Sequence, residues 1–226
     1  MKKLLPLLLL CLAVASASAQ DFKPYFSNNI NFGMSYTNGQ FRQSNLGSND
    51  NDLDFLGLQF NYIGLVHLSP KVAVGAGTGI RHLVSVGDYW EDWYDYDDFD
   101  FIHSYFSVPL YAHAQFRFMD RKVSPFLNTS LGYHFRVGES ENNGGSRYNA
   151  TSEVSSISSG LLGSVQAGVS IHVGRRFNIM AGPYFEYRQA TLQRNITDYA
   201  SSSMMPIVIE NDLNLFEAGL KVGFAF

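Results

Sequence analysis

The stretch Phe216-Glu217-Ala218-Gly219-Leu220-Lys221-Val222-Gly223-Phe224-Ala225-Phe226 sets the reading of the whole chain. Successive side chains of a strand point to opposite faces. Here Phe216, Ala218, Leu220, Val222, Phe224 and Phe226 share one face, and Glu217, Gly219, Lys221, Gly223 and Ala225 share the other. A helix would space its apolar residues three and four apart, so this segment is a strand. The same alternation recurs toward the N-terminus. Over 157–173, Leu161, Val165, Ala167, Val169 and Ile171 alternate with Gly160, Ser164, Gln166, Gly168, Ser170 and His172. Over 102–118, Ile102, Phe106, Val108, Leu110, Ala112, Ala114, Phe116 and Phe118 alternate with His103, Tyr105, Ser107, Tyr111, His113, Gln115 and Arg117. Weaker versions cover 25–37, 53–68, 71–86, 123–137 and 176–192, which makes eight strands.

The connections order those strands. Ser69-Pro70-Lys71, Met119-Asp120-Arg121-Lys122 and Gly174-Arg175 are tight links between antiparallel neighbours. The stretches 38–52, 87–101, 138–155 and 193–210 are long and polar. Long and short alternate strictly, so the long loops gather at one end and the short turns at the other. An all-β, eight-stranded, antiparallel up-and-down barrel follows.

Composition decides which way the barrel faces. The 226 residues are 46% hydrophobic and only 16% charged, against about 25% charged in soluble domains. The polar faces carry Gly, Ser, Asn and Gln with isolated Arg, His and Glu, not the Lys and Glu of a solvated surface. Gly75, Gly77 and Gly79 take successive alternate positions on one strand, which suits a crowded interior. The apolar faces therefore point outward into lipid, and the barrel is transmembrane. Aromatic residues flank an aliphatic middle, as rings settle at the headgroup level. Phe26, Phe116, Phe118, Phe177, Phe224 and Phe226 lie near the short turns, and Tyr36, Phe106, Tyr133, Phe135, Phe185 and Tyr187 near the long loops. A net charge of -4 argues against a nucleic-acid partner.

The N-terminus reads as an export address. Met1-Lys2-Lys3 is basic, Leu4 to Ala15 is apolar, and Ala17-Ser18-Ala19 offers a cleavage site. Residues 1–19 are thus a signal peptide and 20–226 the barrel domain. The apolar stretch is too short for a membrane helix. Cys11, the single cysteine, falls within the leader, so the exported domain has nothing to oxidise. Export and a lipid-facing barrel together place the protein in the outer membrane of a Gram-negative bacterium, surrounded by outer-membrane lipid. Both termini and the short turns then face the periplasm.

The chain resembles the small outer-membrane β-barrel proteins, and in particular the PorT-like outer-membrane beta-barrel domain proteins of Bacteroidota. The eight-strand rhythm, the Ala19-Gln20 junction and the terminal Phe226, with Phe224, Val222 and Leu220 before it, carry the resemblance. It implies that the last strand is an assembly signal read by the outer-membrane assembly machinery. It also implies an alternative role as an accessory subunit of a secretion or assembly complex, for which no residue motif is present.

Counting from the short turns puts Arg81, Glu186 and Glu217 near mid-lumen, Arg136 and Arg188 a little above, and Lys221 below. Eight strands leave little open channel, and an unpaired buried charge costs several kcal/mol. These charges therefore read as a salt-bridged network that plugs the lumen. His67, His113, His134 and His172 face inward on different strands and heights, so neither a metal nor a cofactor is expected.

The loop from Asp88 to Asp100 threads Tyr89, Trp90, Trp93, Tyr94, Tyr96 and Phe99 between Asp88, Glu91, Asp92, Asp95, Asp97, Asp98 and Asp100. Carboxylates suit calcium, but the ligand spacing and turn glycine of a calcium loop are missing. A solvated cap is one reading. A partner contact through Trp90, Trp93, Tyr94 and Tyr96 is the other, since Trp and Tyr anchor interfaces. A lipid or ester hydrolase would need His82, Ser104 and Asp100 within hydrogen-bond reach, and no motif supports that set. The sequence thus points to a non-enzymatic barrel at the cell surface, working through its external loops or its lipid face.

Overall fold

The structure is a computed structural model, and it describes residues 22–41, 51–86, 104–140, 151–173, 177–198 and 207–226. The strands are β1 (Tyr25–Phe41), β2 (Asn51–His67), β3 (Val72–Ser85), β4 (Ser104–Arg117), β5 (Val123–Ser140), β6 (Thr151–Ile157), β7 (Gly160–Val173), β8 (Phe177–Asp198) and β9 (Ile207–Ala225). All pairings are antiparallel, and β9 pairs with both β8 and β1, which closes the sheet on itself. The segments β6 and β7 pair with the same strand, through Ile157↔Leu192 and Leu162↔Arg188. They are two lengths of one stave, interrupted at Ser158-Ser159, where the Ser158 backbone N–H donates to the Thr191 carbonyl at 2.9 Å. The barrel therefore has eight staves.

Side chains alternate across the wall with the polarity of a soluble barrel inverted. Leu131 is 71% exposed and Leu220 66%, while Glu217 and Gln59 are 1% and 5% exposed. An outward apolar wall and an inward polar lining are what hydrocarbon requires of a closed sheet. Phe26, Phe118 and Phe226 are exposed on the turn end of the wall, and Tyr36, Phe106, Phe135 and Phe185 toward the loops. Phe177 and Phe224 stack 5.8 Å apart across the β8–β9 pair.

The loop bounds differ from the sequence expectation. The stretches 38–52, 138–155 and 193–210 carry strand as well as loop. β8 runs 22 residues to Asp198, pairing with β6 as far as Thr151 and with β9 as far as Ile207. Pairing here uses backbone groups, so it continues through side chains too polar to show an alternating pattern. A β-bulge also interrupts the β4–β5 register, where Phe106 faces Gly138 and Ser107 faces Arg136. The leader, the 19–20 junction and the acidic aromatic segment with Trp90, Trp93, Tyr94 and Tyr96 lie outside the described residues.

Gly77 shows how tightly the lumen is filled. A Cβ there would sit 2.5 Å from Tyr111 Cε2 and 2.7 Å from Cζ, because the Tyr111 ring lies over it. At Gly138 a Cβ would meet nothing within 4 Å. Overpacking a filled interior costs about 1–3 kcal/mol. Gly77→Ala should lower barrel stability by that amount and Gly138→Ala should leave it unchanged. Urea unfolding of the lipid-reconstituted barrel, followed by far-ultraviolet circular dichroism, checks both; equal stabilities would refute the packing argument.

Candidate functional site in the barrel lumen

Alternation turns Arg81 of β3, Glu186 and Arg188 of β8, and Glu217 of β9 inward, and the closed sheet brings them together. Each is at most 2% exposed. Glu186 and Glu217 stand directly opposite each other across the β8–β9 pair, a placement that like charges resist. The two guanidinium groups answer that repulsion. Arg81 forks onto the Glu186 carboxylate through Nη1 and Nη2, and its Nη1 lies 3.7 Å from Glu217 Oε2. Arg188 donates from Nη2 to Glu217 Oε2 at 2.5 Å, with its Nε 3.4 Å from Glu186 Oε1. Each carboxylate therefore meets both arginines.

Neutral groups fix this arrangement. The Tyr184 hydroxyl donates to Glu217 Oε1, and Gln59 Nε2 donates to the same oxygen at 3.3 Å. Gln59 Oε1 accepts from Arg81 Nη2 at 3.4 Å and from Asn61 Nδ2 at 2.9 Å. Lys221 lies on the turn side, its Nζ 3.8 Å above the centre of the Tyr184 ring. Gln59 and Tyr184 did not stand out in the sequence because they carry no charge. Their signal was parity: both fall on the inward face, and Tyr184 lies one inward step from Glu186.

An apolar layer sits immediately on the loop side of the charges. Leu83, Ala190 and Leu215 are each two residues nearer the loops than Arg81, Arg188 and Glu217. They form one buried cluster with Phe55, Tyr105, Ile157 and Leu213. Beneath Tyr105, its hydroxyl meets His134 Nδ1 at 3.0 Å. The ion pairs thus adjoin buried hydrocarbon on their loop side, and low polarity strengthens each of them.

The remaining candidates fall elsewhere. Arg136 stands opposite the inward Ser107 at the loop end of β5, beside the bulge, and is exposed there, above the ion pairs just described. Among the described residues no group of three or more His, Cys, Asp and Glu could hold a metal. His67 meets Ser27 Oγ at 2.8 Å and His113 meets Ser130 Oγ at 2.9 Å, each on its own side of the lumen. His82 lies flat on Phe106 on the outer wall, ring centres 4.1 Å apart; Asp100 lies outside the described residues. Leu220 and Val222 on β9, and Phe226 just after it, are exposed to the outside. The Phe226 backbone exchanges two hydrogen bonds with Asn28, at 2.8 and 2.9 Å.

This fold is shared with solved membrane proteins. The chain is similar to AlkL, whose structure was determined by solid-state NMR in DMPC lipid bilayers, with 13% identity, 89% of each chain covered and a TM-score of 0.50. It is similar to OprG from Pseudomonas aeruginosa at 10% identity, covering 88% of this chain and 95% of that one, with a TM-score of 0.49. Neisserial surface protein A gives 12% identity over 89% and 99% of the two chains, with a TM-score of 0.39. At such identities the likeness is one of fold, and AlkL carries it: the chain has the fold of the small outer-membrane β-barrels. No protein-family model matches the chain, and no curated protein does.

The cluster holds three cations, Arg81, Arg188 and Lys221, against two carboxylates. Removing one partner of a buried pair costs about 3–5 kcal/mol because it leaves an uncompensated buried charge. Lys221 is already the unmatched charge, so replacing it by hydrocarbon of similar length removes a desolvation cost. Glu186→Ala should therefore destabilise the barrel by about 3–5 kcal/mol, and Lys221→Met should leave its stability equal or higher. Urea midpoints of the two reconstituted variants test this, and a large loss in Lys221→Met would overturn the charge count.

Proposed function

We propose that the protein is an integral outer-membrane barrel whose lumen is plugged and non-conducting, and that it acts through its surfaces rather than by passing solutes. The observation that carries this reading is the buried Arg81–Glu186–Arg188–Glu217 cluster roofed by the Phe55–Leu83–Tyr105–Ile157–Leu213–Leu215 layer. An ion entering from the loop end would meet hydrocarbon first and then groups already neutralised by one another. A hydrophobic constriction excludes water by dewetting. Eight staves cannot widen around such a filling without breaking backbone pairs.

In this reading the short turns and both termini face the periplasm and the long loops face outward. The acidic aromatic segment 88–100 then supplies a contact surface of two Trp and several Tyr among carboxylates. Aromatic rings give contact area at low entropic cost, and uncompensated carboxylates favour a basic or cation-bearing partner. In this reading the protein is non-enzymatic.

Planar-bilayer recording tests the plug. The reconstituted protein should show no steady conductance, and a large, stable open channel would refute it. For the loop, Trp90→Ala combined with Trp93→Ala should leave barrel folding intact and remove a protein that copurifies with the unaltered chain from native membranes. An unchanged copurifying set would reduce the segment to a solvated cap.

A further inference from the structure

On the turn side of the charge cluster the lumen keeps a cavity of about 20 Å³, lined by Asn61, Arg81, His113, Asn128 and Lys221 together with Ile63 and Leu162. Asn61, His113 and Asn128 are 3%, 6% and 5% exposed, and each has one atom without a protein partner among the described residues: Asn61 Oδ1, His113 Nε2 and Asn128 Oδ1. The orientation of Asn61 is dictated by its neighbours. Glu217 can only accept, so Gln59 turns Nε2 toward it and Oε1 toward Arg81 and Asn61. Asn61 must then donate from Nδ2, and its carbonyl is left over. Asn128 likewise spends Nδ2 on Gln166 Oε1, at 3.2 Å. Lys221 brings three donors and forms no ion pair among the described residues, resting instead on the Tyr184 ring.

An occupant of this cavity must accept from an ammonium and donate to carbonyl oxygens. An anion would face the Asn61 and Asn128 carbonyls and the Glu186 carboxylate, which also lines the cavity. A metal cation would face Lys221 and Arg81. Water alone does both, and a buried water needs only about 10–15 Å³ and two to four polar partners. We propose that the cavity is a binding site for one water molecule, held between the Lys221 ammonium and the carbonyls of Asn61 and Asn128. That water solvates the one cation of the cluster that the two carboxylates do not match, so the cluster carries its excess positive charge without a counter-ion.

Crystals of the protein grown in bromide, with diffraction measured on both sides of the bromine absorption edge, decide the matter. The proposal expects a single peak without anomalous signal, about 2.7–3.2 Å from Lys221 Nζ and Asn61 Oδ1. The peak should vanish in Asn128→Leu, whose side chain fills the space. Ser164→Val, on the same lining, makes the same test should Asn128→Leu fail to fold. An anomalous bromine peak, no peak at all, or a peak that persists in the filled variant would overturn the proposal.

Discussion

Hydrocarbon offers no partner to a backbone N–H or C=O, and each unsatisfied group there costs several kcal/mol. The whole molecule answers to that constraint. A sheet in lipid must have no edge, so β9 bonds to β8 on one side and β1 on the other. Eight staves then fix an interior about as wide as the side chains that fill it. Narrowness explains why the lining alternates bulk with glycine, as where Tyr111 lies over Gly77. It also explains why charged side chains from three separate strands are forced into contact.

Once in contact, those charges settle their own conflict. Two carboxylates facing each other across one strand pair would be unstable alone, and two guanidinium groups buried alone would be worse. Interleaved, each offsets the charge of the other, though Arg81 Nε and Arg188 Nε and Nη1 have no hydrogen-bond partner among the described residues. Gln59 and Tyr184 join the carboxylates and guanidinium groups into one bonding pattern. The buried apolar layer on the loop side lowers the polarity around those bonds and so strengthens them.

Much of this was legible from parity. Alternation from Phe216 to Phe226 assigns every residue of the last strand to its face, and the same rule turns Arg81, Glu186, Arg188, Glu217 and Lys221 inward. Heights were harder, because counting along a strand assumes an unbroken register. The register up β5 holds as far as Arg136, opposite Ser107, and the bulge follows it at Val137; Arg136 is exposed because it stands at the loop end of the stave, above the cluster. The apolar roof escaped notice for a different reason. A rule that apolar means lipid-facing has no place for Leu213 and Leu215, which are inward and fully buried. Strand ends were blurred where polar residues of β6, β8 and β9 pair through backbone groups, which need no alternation of side chains.

The seam between β1 and β9 has a consequence for how the barrel comes into being. Its pairs run from Asn29↔Ala225 to Phe41↔Leu213, so they join segments separated by most of the sequence. Loop-closure entropy must be met before such distant contacts reward it. The other neighbouring staves form between adjacent hairpins and can zip locally. The ring, by contrast, closes only when the ninth strand in chain order arrives, and until then both outer staves present raw edges that invite pairing with other chains. Escorting that last strand to the first is the step at which the nascent sheet most needs protection from its neighbours.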